Sequence, residues 1–241
     1  MLNKSLSTLL SRATAAALLV LMVGPAWSYV VSGRANPNLA GRDASYTCCT
    51  GDGVATEAPL LVTGFAFSAG NNLQFTVSGR TAFGPGAGSD NNADGDYGYD
   101  MTNYGDGISA PKRVRVNALV GLFLSDDSPT GGPTPAQLDF AYLLDFASLA
   151  PGLGQIFYIG DGLTSYAGSA GPAGVRQDFT VPKGATRLFL ATSHGFGWFN
   201  NSGSFNVEIG PDDAVPVPTP GSMSLVLAAL GILAVGRLSR R

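Results

Sequence analysis

Apolar and polar residues alternate with a period of two over several short stretches. Phe205, Val207 and Ile209 are interleaved with Ser204, Asn206 and Glu208. Val114, Val116 and Ala118 alternate with Arg113, Arg115 and Asn117, and Leu188 and Leu190 sit among Arg187, Phe189 and Ala191. Neighbouring side chains of a strand point to opposite faces, so this period predicts strands with one face in a core. Further strands are predicted at 60–67, 73–79, 155–159 and 177–181. Turn-formers separate them: Ala69-Gly70-Asn71-Asn72, Pro182-Lys183-Gly184 and Asn201-Ser202-Gly203. Short strands with frequent turns predict an all-β sandwich. A Pro/Gly-bounded insertion spans 125–154; the spacing of Leu138, Ala141, Tyr142, Asp145 and Leu149 within it predicts a loop with a helical turn or two. No internal repeat is evident.

The two ends break this pattern. Lys4 and Arg12 precede an apolar run at 13–23, Pro25 ends it, and Ala26-Trp27-Ser28 places small residues where a signal peptidase reads them. These features predict a leader helix over 1–28, cut after Ser28; a retained membrane anchor is the alternative, for which the run is short. At the other end a Pro-rich spacer (213–221) contains Pro216-Val217-Pro218-Thr219-Pro220. Segment 222–241 is then almost wholly apolar before Arg237, Arg240 and Arg241. Terminal arginines hold to the cytoplasmic side, so the tail predicts an inner-membrane helix with the body outside. The body is then 29–212, with its core at 60–209.

The proline motif, apolar helix and basic end together resemble the PEP-CTERM sorting signal of Gram-negative bacteria. That resemblance implies an exosortase-type sorting protease as partner, processing at the Pro216/Pro218 motif, and delivery to the cell surface or extracellular matrix. The chain departs from the usual Val-Pro-Glu-Pro by carrying Val217 in place of the acid.

Composition narrows the function. Of 241 residues 13% are charged and 45% hydrophobic, with Gly 33 and Pro 15 but no three-residue period. That excludes collagen and a fully disordered chain. Nine basic and 17 acidic residues fall within 29–214, a net of −8, which argues against a nucleic-acid partner. A single His and two adjacent Cys leave little for a zinc site or a catalytic triad, and the chain is read as no enzyme. For Cys48 and Cys49, thiols, an intermolecular bridge and a vicinal bridge are all open.

Two polar clusters could carry chemistry. Residues 83–107 hold Gly84-Pro85-Gly86, then Asp90, Asn91, Asn92, Asp94, Asp96, Asp100 and Asp106. These are hard oxygen ligands suited to calcium, without the EF-hand pattern; a surface loop is the bland alternative. Residues 192–205 pass from Thr192-Ser193-His194 through Gly195-Phe196-Gly197-Trp198-Phe199 to Asn200 and Asn201. Adjacent amide oxygens can ligate a metal, and an exposed Trp198 could stack on a sugar ring; equally, Trp198 could be core and the asparagines a turn.

Asn200-Asn201-Ser202-Gly203-Ser204-Phe205, with Arg187-Leu188-Phe189-Leu190 before it and Ala82-Phe83-Gly84-Pro85-Gly86 earlier, resembles the calcium-dependent galactophilic lectins of the PA-IL type. The resemblance implies a jelly-roll-like β-sandwich. It implies calcium held by Phe83 and Gly197 through their carbonyls and by Asn200 and Asn201 through their amides. His194 or Ser193 falls where the family has an Asp, and Asp106 is the best polar candidate for sugar contact; Asp106 or Asp94 could replace the lost carboxylate. With no anion in the cage, weak calcium binding is expected. The resulting reading is a surface-sorted carbohydrate-binding module for a glycan or exopolysaccharide, with Asp106, His194 and Trp198 at the ligand. The alternatives are a structural matrix protein with a vestigial sugar site and, furthest off, a hydrolase using a pair of Asp.

Overall fold

The structure, a computed structural model, describes residues 27–49, 56–64, 66–84, 91–96, 98–99, 101–165 and 174–211. All lie within one compact unit, Pro25–Ala214. The described residues form β1 (Trp27–Ser32), β2 (Leu60–Leu61), β3 (Asn72–Ala82), β4 (Gly98–Tyr99), β5 (Val114–Arg115), β6 (Leu119–Leu124), β7 (Ser148–Leu149), β8 (Ile156–Tyr158), β9 (Asp178–Thr180), β10 (Arg187–Thr192) and β11 (Ser202–Pro211). Short 3₁₀ turns occupy Pro37–Leu39 and Trp198–Asn200, and the described residues contain no α-helix. One sheet has the order β1-β11-β3-β9-β7, the second β2-β10-β6-β8, and β4 and β5 pair by themselves. The described residues are therefore all-β, with two main sheets.

The first sheet follows the alternation read from sequence. In β11, Phe205, Val207 and Ile209 are buried while Asn206 and Glu208 face out. Across the ladder Val207 meets Val77 and Ile209 meets Phe75. In the second sheet, every residue of β6 is buried, as are five of the six in β10. A central strand covered on both faces has no polar side to show and reads as a continuous apolar run. Phe157 of β8 meets Phe179 of β9 with ring centroids 5.7 Å apart, joining the two sheets through one core. Gly121 makes that packing possible: a Cβ there would lie 2.5 Å from the Phe157 ring opposite it.

Several expectations change. β6 was not among the predicted strands, because alternation is the wrong template for Leu119-Val120-Gly121-Leu122-Phe123-Leu124. The stretch 60–67 gives only two paired residues. Arg113 (φ 50°) and Asn117 (φ 57°) are left-handed and confine β5 to a fragment, although Val114, Val116 and Ala118 are all buried. The helical turn expected at 137–149 is absent. Ala141 (φ 51°) and Tyr142 (φ 61°) are left-handed, which a right-handed helix cannot contain. That segment instead bridges Lys112 to Asp139 and ends in β7, parallel to β9. Cys48 and Cys49 form a vicinal disulfide. At the leader boundary, Trp27 and Ser28 pair with Ile209 and Glu208, so a cut after Ser28 would remove the first two rungs of β1. No helix among the described residues is long and apolar enough to cross a membrane. The predicted tail, with Pro216 and Pro218, and most of the leader lie outside the described residues.

Candidate functional site

The β3–β11 ladder runs from Leu73 opposite Pro211 to Ala82 opposite Ser202. Phe83 and Asn201 therefore stand one residue beyond its last rung, side by side at one end of the sheet. Gly203 turns the chain there in a left-handed conformation (φ 79°), and a Cβ on it would strike the Arg80 carbonyl. The Phe83 and His194 rings meet edge to face at 6.1 Å. Tyr104 donates its hydroxyl to the Gly195 carbonyl at 2.9 Å. The two segments singled out in the sequence, 83–107 and 192–205, thus converge.

The asparagines serve different ends. Asn201 is 2% exposed and held on three sides. Its N–H donates to Trp198 O at 3.1 Å, its carbonyl accepts Arg34 Nε at 3.2 Å, and its Nδ2 donates to Gly33 O at 2.8 Å. Its Oδ1 is buried and accepts no hydrogen bond, and the same holds for Asn200 Oδ1. Buried acceptors left without a donor cost free energy, so each of these oxygens would be stabilised by a donor or a cation brought to it. Asn200 Oδ1 and His194 Cε1 both lie 3.9 Å from where a Cβ of Gly197 would stand, so Gly197 faces the same space. Gly197 is itself left-handed (φ 89°), and its carbonyl accepts the Asn200 N–H at 3.2 Å.

Trp198 is not the exposed platform the sequence suggested. It is 0% exposed, donates Nε1–H to Thr192 O at 2.9 Å, and pins the turn to the core. The exposed rings are its neighbours, Phe196 at 61% and Phe199 at 39%. The Gly195-Phe196-Gly197-Trp198-Phe199 string does not by itself separate an exposed ring from a packed one. His194 is partly buried among Phe83, Phe196 and Trp198, with Nδ1 accepting the Phe196 N–H at 3.3 Å. Ser193 is fully buried. Its hydroxyl donates to Arg115 O at 2.5 Å and accepts Ala118 N–H at 2.9 Å, so it fastens the loop instead of acting as a ligand.

The carboxylates expected to assist are engaged elsewhere. Asp106 Oδ2 accepts Arg42 Nη1 at 2.7 Å and the Tyr46 hydroxyl at 3.1 Å, and Oδ1 accepts Gly131 N–H at 2.5 Å. Those partners, Gly131 N–H first, hold its pKa below the ordinary carboxylate value. Arg42 also donates to Asp106 O at 2.7 Å, and its side chain is itself buried. Asp106 is thus the hub of a clamp. Asp94, 2% exposed, forms an acidic corner with Tyr158 and Asp161. Its Oδ1 accepts Asp161 N–H at 3.0 Å and lies 3.3 Å from Tyr158 Oη, while Oδ2 accepts Asn92 Nδ2 at 3.2 Å. Burial, and then the Asp94 charge, raise the Asp161 pKa to about 6. Burial chiefly, with both acids behind it, pushes the Tyr158 phenol up.

The donors at the turn are therefore neutral amides and carbonyls. Among the described residues no three His, Cys, Asp or Glu gather to hold a metal ion. The two orphaned amide oxygens are hard donors of the kind calcium accepts, but the set supplies no negative charge. No known protein family matches the chain, and no curated protein matches it significantly in sequence.

Proposed function

We propose that this chain is an exported, surface-sorted glycan-binding module on a jelly-roll-like sandwich, with its ligand site at the 83–84 and 192–203 end. The observation that carries the reading is the pair of buried, donor-less amide oxygens on Asn200 and Asn201, in a turn whose Phe196 and Phe199 rings are exposed. A pyranose offers both complements: hydroxyl hydrogens for acceptors that lack a donor and an apolar C–H face for a phenyl ring. Calcium, when bound, would be held by Phe83 and Gly197 carbonyls with Asn200 and Asn201, and would offer its remaining coordination positions to ligand hydroxyls. The uncharged donor set makes its contribution small. The tail and leader supply export, with an exosortase-type protease as partner, inner-membrane attachment through segment 222–241, and delivery to the surface or matrix. The activity is binding, not catalysis, and the ligand is a glycan or exopolysaccharide, not nucleic acid.

A glycan array with and without calcium tests this. Wild-type chain is expected to bind a restricted set of neutral glycans with little calcium dependence, and Phe196→Ala with Phe199→Ala to abolish binding while leaving stability within about 0.5 kcal/mol. Silence of the folded protein in both conditions overturns it. The second reading, a structural matrix protein with a vestigial site, is favoured by the internal engagement of Asp94 and Asp106. Self-association of glycan-silent protein supports that one.

A further inference from the structure

Cys48 and Cys49 are the only cysteines of the chain, and they are bonded to each other. A bridge between neighbours closes no long loop, so it restrains the unfolded chain hardly at all and is a poor staple. Its effect is local. It fixes the backbone of the pair, and Cys49 takes φ 72°, a left-handed conformation unfavourable for a residue with a Cβ. Cys49 is buried while Cys48 is partly exposed. Asn36 Nδ2 donates to Cys49 Sγ at 3.4 Å. The same Asn36 accepts Asn38 N–H at 2.9 Å through Oδ1 and donates its own N–H to Glu57 O at 2.9 Å. Asn38 O accepts Arg42 Nε at 2.8 Å, and Arg42 grips Asp106. The Arg42 guanidinium also lies over the Tyr46 ring, 4.2 Å from its centroid, two residues before the bridge. The disulfide is one end of a relay whose other end is the Asp106 clamp.

We infer that Cys48–Cys49 is a reversible thiol–disulfide exchange site that takes a dithiol reductant and sets the order of segment 36–49. A thiolate of the dithiol attacks Cys48 Sγ, the more accessible sulfur. The S–S bond breaks and its electron pair leaves on Cys49 Sγ. The Asn36 amide N–H stabilises that thiolate, because a hydrogen bond strengthens as its acceptor gains charge. A better leaving group speeds the exchange. The second thiol of the dithiol then attacks the mixed disulfide and releases Cys48, and each sulfur takes a proton. Two electrons and two protons pass to the protein, and the dithiol leaves as a disulfide. With the ring open, Cys49 is no longer tied to a left-handed backbone and segment 36–49 loses the restraint at that end. Oxidation by a disulfide reverses each step.

The full chain, purified without reductant, is equilibrated in dithiothreitol buffers, alkylated and weighed, with hydrogen exchange followed over 36–49 and 104–107. Both cysteines are expected to react only after dithiol treatment of the folded protein, with loss of exchange protection over 36–49. Cys48→Ser with Cys49→Ser is expected to show the same raised exchange without reductant. Asn36→Asp keeps the acceptor for Asn38 but loses the donor to sulfur, and is expected to slow reduction about fivefold. A bridge that opens only in denaturant, thiols that alkylate before reduction, or a reduced protein with unchanged exchange overturns the inference. An Asn36→Asp protein that melts like wild type and is reduced at the wild-type rate overturns the assisted exchange.

Discussion

The turn at 192–203 and the acidic corner of Asp94, Tyr158 and Asp161 handle polar atoms in opposite ways. The corner gathers charge and encloses it: Asp94 meets a phenol, a backbone N–H and an amide, and is almost wholly buried. The turn carries no charged side chain, yet leaves two buried amide oxygens without a donor. Counting acids in a sequence therefore points to the wrong end of the problem. A carboxylate is costly to bury and recruits partners from its own chain, whereas an amide already held by its nitrogen can leave its oxygen for a ligand.

The comparison can be broken most directly at the turn's anchor. Trp198→Ala removes a fully buried ring and the Nε1 bond to Thr192. It is expected to cost about 3–5 kcal/mol in denaturant unfolding. Phe196→Ala, two residues away, is expected to cost under about 0.5 kcal/mol. Equal losses would mean that the two rings share one role. At the corner, Asp94→Ala strands the Asp161 N–H and leaves the Tyr158 hydroxyl only the Asp94 carbonyl at 3.4 Å, and is expected to cost about 2 kcal/mol by the same measurement.

The third expectation concerns pH. Asp161 holds its proton to about pH 6 in the folded chain, against about 3.9 when unfolded. The folded state binds more protons between those values, so this residue's contribution is complete below about pH 4 and is lost as pH rises through about 6. Partial exposure screens the effect. Asp161→Asn is expected to flatten that part of the stability–pH curve, and Asp94→Asn to lower the Asp161 midpoint in a carboxyl titration without returning it to the ordinary value, since burial is the larger cause. The smallest effect sharpens the contrast from the other side. Asn200→Asp puts a charge into the neutral turn and is expected to add about 1 kcal/mol of stability in millimolar calcium that wild type lacks. No calcium response in this variant would separate the turn from any cation site.

How much of this was legible depended on whether a strand has a wet face. β11 could be read because Asn206 and Glu208 mark its outer side; β6 could not, because loops and strands cover it on both sides. The convergence of Phe83 with Asn201 was suggested by likeness and is accounted for by register. The burial of Trp198 was not legible, because the same Gly/aromatic string suits an exposed platform or a pinned turn, and only the Thr192 carbonyl decides. The engagement of Asp106 was hidden for a similar reason: Arg42 and Gly131 are 64 and 25 residues away.

β1 and β11 run antiparallel at the edge of the first sheet, with Trp27 opposite Ile209 at one end and Ser32 opposite Ser204 at the other. The chain therefore enters and leaves this unit at neighbouring points, and the asparagine turn stands roughly 23 Å further along the strands, at their far tip. A tether attached just before β1 or just after β11 would hold this unit by the end of the sheet opposite the turn. Immobilising the unit at that end should leave the turn pointing into solution, and a crowded layer of such units would display one continuous outer surface built from copies of the same tip.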